Sequence, residues 1–184
     1  WAIPTAITAK LWAFLFSEQG IVNSIFHAHV AWQTDPWAAR FSIILADVWK
    51  TTPFMALLIL AGLQMIPKDL YEAARMDGAN AWQRFTRITL PLAKNSIIVA
   101  VLFRMLDALR MYDLPYIMVG PNPDSPTATL SQLVVAAIRQ DHVNAASALS
   151  TLIFLLIFLI ALCFVKSLGS KVAHQAEPVV AEEE

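Results

Sequence analysis

The chain has 184 residues, 58% of them hydrophobic, and a mean hydropathy of +0.57. A water-soluble domain of this length is less apolar and intersperses its charges, which here fall between long apolar runs. The composition therefore predicts a protein that crosses a membrane several times. The net charge of −1 and the single cysteine predict no nucleic-acid partner, no disulfide framework and no cysteine metal site.

Four apolar segments follow one another along the chain. Residues 1–16 form the shortest, and because the chain begins at Trp1 without a basic leader, we expect a truncated transmembrane helix there. Residues 41–66, 96–119 and 145–165 each reach the roughly 20 residues that a helix needs to cross a bilayer. The predicted fold class is all-α, a polytopic bundle of transmembrane helices.

The basic residues between these segments predict the orientation of the chain. Residues 67–95 hold five of the 13 Lys and Arg residues, whereas 17–40 and 120–144 hold one each. Because positively charged loops stay in the cytoplasm, 67–95 is predicted to be cytoplasmic, and 17–40 and 120–144 are predicted to be external loops. The polar segment 166–184 is predicted to be a disordered cytoplasmic tail.

Several charged residues lie inside the predicted membrane segments. Asp47 and Lys50 are three residues apart, and Arg104, Asp107 and Arg110 follow one another at the same spacing, so the members of each set share a helix face. A charge in the bilayer costs about 2.5–3.5 kcal/mol, so these side chains should face other helices or a watery cavity. The residues alone leave two interpretations open. The charges line a path for a polar solute, or they neutralise one another and lock helices together.

Residues 67–95, which we call the central loop, hold more local structure than a connector needs. Asp69 is predicted to cap a first short helix that ends at Gly78, a residue suited to the left-handed position after a helix. Asn80 and Gln83 predict a capping box that begins a second helix. The central loop is therefore predicted to form two short helices joined by a tight turn at Gly78, which we call the corner.

This pattern resembles the EAA motif of binding-protein-dependent ABC importer permeases. The matching residues are Glu72-Ala73-Ala74, Asp77-Gly78-Ala79, Phe85, Ile88, Leu90 and Pro91. The segment Leu63–Pro67, with Gly20 and Asn23 earlier in the chain, resembles the sugar-importer branch of that family. The resemblance covers essentially the whole chain and implies the fold of a type I ABC importer permease. It also implies that Glu72, Ala73, Ala74, Asp77, Gly78 and Ala79 couple the chain to an ATPase.

The resemblance implies a permease subunit that moves a sugar, for example a disaccharide such as trehalose or maltose, across the bacterial inner membrane by alternating access. It implies a heterodimer with a second permease subunit, two ATPase subunits and an external substrate-binding protein. No G-x-x-x-x-G-K-[ST] phosphate loop occurs in the sequence. ATP and Mg²⁺ are therefore expected on the partner ATPase, and this chain is predicted to bind no cofactor or metal and to catalyse no reaction.

Two other functions stay open from the sequence. The chain has Asn95 where the family often has proline, and Val119-Gly120-Pro121 where sugar permeases often have a Thr-Gly-Gly sequence. The second departure bears on the cargo, and an ABC permease for glycerol phosphate or another small solute would use Lys50 or Arg104 to meet an anion. An ion-coupled secondary transporter would instead use the acidic and basic groups within the membrane for protons or substrate. Co-purification of an ATPase would separate the two mechanisms.

Overall fold

The computed structural model describes residues 2–27, 29–122 and 124–173, and every regular element within them is helical. This confirms the predicted all-α fold class. The helices are α1 (Thr5–Leu15), α2 (Ile21–Phe26), α3 (Pro36–Gln64), α4 (Lys68–Met76), α5 (Ala81–Arg84), α6 (Leu90–Leu109), α7 (Asp113–Met118), α8 (Leu130–Arg139) and α9 (Val143–Ala173). A π-helical stretch, Phe85–Thr89, joins α5 to α6.

Among the described residues, three helices are long and apolar enough to cross a membrane. They are Pro36–Gln64, the continuous helix Ala81–Leu109, and Val143–Lys166 within α9. The predicted segment 96–119 differs from the structure, because its helix ends at Leu109 and α7 follows as a separate element. The predicted tail also differs, since α9 continues to Ala173. Residues 174–184 of that tail lie outside the described part of the chain.

The start of α3 shows how the sequence sets a helix boundary. The Oδ1 atom of Asp35 accepts hydrogen bonds from the backbone N–H groups of Trp37 (3.1 Å) and Ala38 (2.8 Å). Pro36 occupies the first helical position, where its missing N–H costs nothing. This cap begins α3 five residues before the predicted segment 41–66, within the stretch predicted as an external loop.

The chain forms two compact units. Of the described residues, those before 57 and those in 107–153 form the first unit, and those in 57–106 and from 154 onward form the second. In the first unit α1 packs against α7 around a small apolar core. Its buried members are Ala9, Phe16, Ile43, Ala46, Leu114 and Met118.

The loop between α1 and α3 in the first unit is fastened by Asn23, which is 5% exposed. Its Nδ2 atom donates to the carbonyl oxygens of Glu18 and Val30, each at 3.0 Å, and its Oδ1 atom accepts from the indole N–H of Trp32 at 2.7 Å. A Cβ atom on Gly20 would lie 2.4 Å from the last carbonyl oxygen of α1, so only glycine fits there. Gly20 and Asn23, noted in the sequence for their family resemblance, therefore set the shape of this loop.

Candidate functional site

The first helix of the central loop begins differently from the prediction. Pro67 occupies the N-cap position of α4 and makes no side-chain capping hydrogen bond, so the prediction that Asp69 caps this helix is wrong. Asp69 lies inside the first turn. The fixed φ of proline already leads the chain into the helix. Asp69 then acts through its charge, which is favourable near a helix N-terminus.

The end of α4 confirms the predicted role of Gly78. Gly78 has a φ of +76°, and its N–H group donates to the carbonyl oxygen of Arg75 at 3.0 Å. The next N–H group, that of Ala79, donates to the carbonyl oxygen of Ala74 at 2.9 Å. These two bonds form a Schellman motif, in which the residue after the helix adopts the left-handed conformation that suits glycine. The corner thus depends on the backbone of Gly78.

The start of α5 confirms the predicted capping box. The side chain of Asn80 accepts a hydrogen bond from the backbone N–H of Gln83, and the side chain of Gln83 accepts one from the backbone N–H of Asn80, each at 2.9 Å. Both helix ends at the corner are therefore closed by hydrogen bonds between residues that are close in sequence.

The six predicted coupling residues lie around this corner. Glu72, Ala73, Asp77 and Gly78 are exposed, and Ala74 and Ala79 are half-buried. Sequence reasoning missed Met76, whose side chain is 89% exposed on the last turn of α4. A single exposed methionine is ordinary on a protein surface, so Met76 belongs to the exposed surface of the corner without by itself marking a partner. The corner therefore exposes Glu72, Ala73, Met76, Asp77 and Gly78 together.

The first unit holds a polar cavity of about 480 Å³. Its lining residues are Ala2, Ile3, Pro4, Thr5, Asp47, Lys50, Thr51, Asp107, Arg110, Met111, Tyr112, Asp113 and Leu114. The structure thus brings Asp107 of α6 together with Asp47 and Lys50 of α3, whereas Arg104 is not among the lining residues. The ammonium group of Lys50 donates a hydrogen bond to the hydroxyl of Thr5.

The cavity is rich in both donors and acceptors of hydrogen bonds. Its three aspartates and two basic residues nearly balance in formal charge. Burial, followed by the neighbouring Tyr116, raises the pKa of Tyr112, so this phenol remains a protonated donor at neutral pH. Such a mixture suits a neutral solute with many hydroxyl groups better than it suits an anion.

Sequence reasoning missed Tyr112 and Asp113 as members of this cavity, and it noted Arg110 only for its spacing from Arg104 and Asp107. Arg110 carried a usable signal, because it continues the three-residue spacing of Arg104 and Asp107. Tyr112 and Asp113 carried none, because they reach the cavity through the break between α6 and α7.

Comparison with known proteins places the chain among transport permeases. It is 43% identical over 171 residues to the trehalose/maltose transport system permease protein MalF of Thermococcus litoralis, covering 90% of this chain and 58% of that protein. It is 45% identical over 172 residues to the trehalose transport system permease protein SugA of Mycobacterium tuberculosis, covering 92% of this chain and 55% of that protein. The sulfoquinovosyl glycerol transport system permease protein SmoG of Agrobacterium fabrum is 45% identical over 139 residues, which cover 73% of this chain and 45% of that protein.

A solved structure resembles the fold of this chain. It is a bacterial ABC transporter involved in the import of the acidic polysaccharide alginate, with a TM-score of 0.79 and 25% sequence identity. The match covers 96% of this chain and 62% of that one. The present chain spans about half the length of the curated relatives that it matches. The profile of one protein family matches residues 1–174, and the chain therefore belongs to the family of binding-protein-dependent transport system inner membrane components.

Proposed function

We propose that this chain serves as the permease subunit of an ATP-driven importer that carries a sugar across the bacterial inner membrane by alternating access. The observation that carries the proposal is the corner of the central loop. Hydrogen bonds between nearby residues close the end of α4 and the start of α5, while the EAA residues and Met76 are mostly exposed. An ATPase that docks here would meet this exposed surface, where hydrogen bonds close the helix ends on either side of Gly78.

Within this proposal the other components of the importer supply what the chain lacks. A separate pair of ATPase subunits binds ATP and Mg²⁺, and this chain binds no cofactor and carries out no bond chemistry. A second permease subunit completes a heterodimer, and an external substrate-binding protein delivers the cargo. Membership of a binding-protein-dependent family supports each of these partners.

The polar cavity supports a sugar as the cargo. Asp47, Lys50 and Asp107 are proposed to form hydrogen bonds with its hydroxyl groups, and Arg104 remains a proposed member of the same path. Two of the relatives are named for trehalose transport, which makes trehalose or maltose the first candidates. Glycerol phosphate fits the cavity less well, because an anion calls for an excess of positive charge that the lining residues do not provide.

Isolation of the assembled transporter tests this function directly. The full-length permease, tagged and purified from its native membrane in mild detergent, is expected to bring with it an ATPase and a second permease subunit. After reconstitution, ATP hydrolysis should rise when the external binding protein loaded with trehalose or maltose is added. The unloaded protein is the control. Uptake driven by an ion gradient without an ATPase would contradict the proposal and support a secondary transporter.

The proposed orientation has its own test. In a background without Cys163, the variants Arg87→Cys and Asp124→Cys each place one cysteine at an exposed position. An impermeant thiol reagent on intact cells is expected to label the second variant and not the first, because the basic central loop stays in the cytoplasm. Lysed cells provide the control, since both variants should then react. Labelling of only the first variant on intact cells would invert the orientation and remove the proposed ATPase contact.

A further inference from the structure

A side-chain hydrogen bond ties the first helix of the central loop to the membrane helix in the second unit. The hydroxyl groups of Tyr71, in α4, and Thr89, at the end of the π-helical stretch, lie 2.9 Å apart. The two residues are 18 positions apart in sequence, and both are half-buried. Because no residue of α4 is buried, this helix has little apolar packing to hold it in place. The hydrogen bond between Tyr71 and Thr89 therefore helps to hold α4 in position.

The π-helical stretch supplies the geometry of this contact. Pro91 has no N–H group to donate within the helix, and the N–H group of Leu90 donates to the carbonyl oxygen of Phe85, five residues back. The extra residue in this turn rotates the side chains that follow by about 100° relative to an uninterrupted α-helix. The hydroxyl of Thr89 also lies 3.5 Å from the carbonyl oxygen of Arg84. When Thr89 donates to that carbonyl, Tyr71 donates to Thr89.

The two long helices that flank the central loop touch each other closely. A Cβ atom built on Gly62 would lie 2.0 Å from Oγ and 2.3 Å from Cβ of Ser96, so α3 and α6 meet where Gly62 has no side chain. This contact holds together the parts of α3 and α6 that flank the central loop, which contains α4. The hydrogen bond between Tyr71 and Thr89 then determines whether α4 moves together with α6 or bends independently of it.

We propose that Tyr71 and Thr89 are positioning residues that make α4 and α6 move as one body. A displacement of the corner by a docked ATPase would then reach the membrane helix without being absorbed by bending of α4. The inference rests on the proposed function and deepens it, because it names the contact through which a movement of the ATPase reaches the membrane helix. It assigns to Tyr71 a role in coupling rather than in ATPase docking.

The variant Tyr71→Phe removes one hydroxyl and keeps the ring. We expect the reconstituted transporter to assemble and to hydrolyse ATP, while the sugar carried per ATP hydrolysed falls about two- to tenfold, the range that corresponds to one net hydrogen bond. Thr89→Val should give the same loss, and the double variant should be no worse than either single variant. Thr86→Val is the matched control. Its hydroxyl belongs to the same π-helical stretch but donates to the carbonyl oxygens of Trp82 and Gln83 within its own helical segment.

Two readouts keep the result decisive. An unchanged ratio of uptake to hydrolysis in Tyr71→Phe would overturn the inference, and so would a smaller amount of protein with a normal ratio, since that indicates a purely structural bond. Hydrogen exchange of α4 amides in the purified permease should increase in Tyr71→Phe and not in Thr86→Val, and this measurement needs no ATPase. If the unaltered permease neither binds an ATPase nor requires one, the proposed function fails, whatever the exchange data give.

Discussion

The substitution Gly78→Val is expected to lower sugar uptake at least tenfold while the chain still reaches the membrane. Gly78 has a φ of +76°, and a residue with a Cβ atom pays about 1–2 kcal/mol for a left-handed conformation, with more for a β-branched one. Nothing lies within 4 Å of a Cβ atom built there, so the cost arises from the backbone and not from a clash. The corner would relax, and the Schellman hydrogen bonds that orient Ala74 and Ala79 would be lost.

Two companion variants separate backbone strain from surface contact. Gly78→Asn should retain most of the uptake, because asparagine tolerates the left-handed conformation. Ala73→Asp places a charge on an exposed face of α4 at a small cost in helix propensity, and it is expected to abolish uptake by blocking the ATPase surface. Uptake should be normalised to the amount of permease in the membrane. Normal uptake by both Gly78→Val and Ala73→Asp would contradict a coupling role for the central loop.

The cavity aspartates should show the second large effect. Asp47→Asn and Asp107→Asn keep the shape of the side chain and remove its charge. Each is expected to lower uptake ten- to a hundredfold, because hydrogen bonds to charged groups contribute about 1.5–3 kcal/mol. Asp35→Asn is the matched control, since asparagine caps α3 as well as aspartate does. Initial rates of uptake in reconstituted vesicles provide the measurement.

The alternative, in which the charges only neutralise one another, makes a different prediction. Removing one partner of a structural pair leaves a lone charge within the membrane segment, and removing both should restore stability. The double variant Arg104→Leu with Asp107→Leu should assemble in either case. A path for the sugar predicts that its ATP hydrolysis no longer responds to loaded binding protein. Near-normal uptake and hydrolysis together would contradict the path.

The sequence predicted the corner well because its determinants are local. A glycine after a helix and an Asn–Gln pair three residues apart specify hydrogen bonds within a few residues, and the structure has them. Asp69 was misplaced because several residues near a helix start are able to cap it, and Pro67 took that position. The π-helical stretch was missed because its cause, the proline at position 91, is also compatible with an ordinary first turn.

The break after α6 and the cavity were beyond local reasoning. The helix ends where the N–H groups of Arg110 and Met111 donate to the carbonyl oxygens three residues back, although the sequence stays apolar beyond that point. Hydropathy measures composition and does not register a change of direction between two apolar pieces. The cavity gathers residues near positions 5, 50 and 110, and only its charges within apolar runs were visible in the sequence.

The corner at Gly78 is self-contained, since its capping bonds join residues separated by no more than five positions. The cavity uses a different set of residues, in the other unit of the chain. Under the proposed function, selection acting on the cavity would leave the corner unchanged. One type of ATPase would therefore be able to serve permeases that carry different solutes, and a new solute specificity would evolve without changes at the ATPase contact.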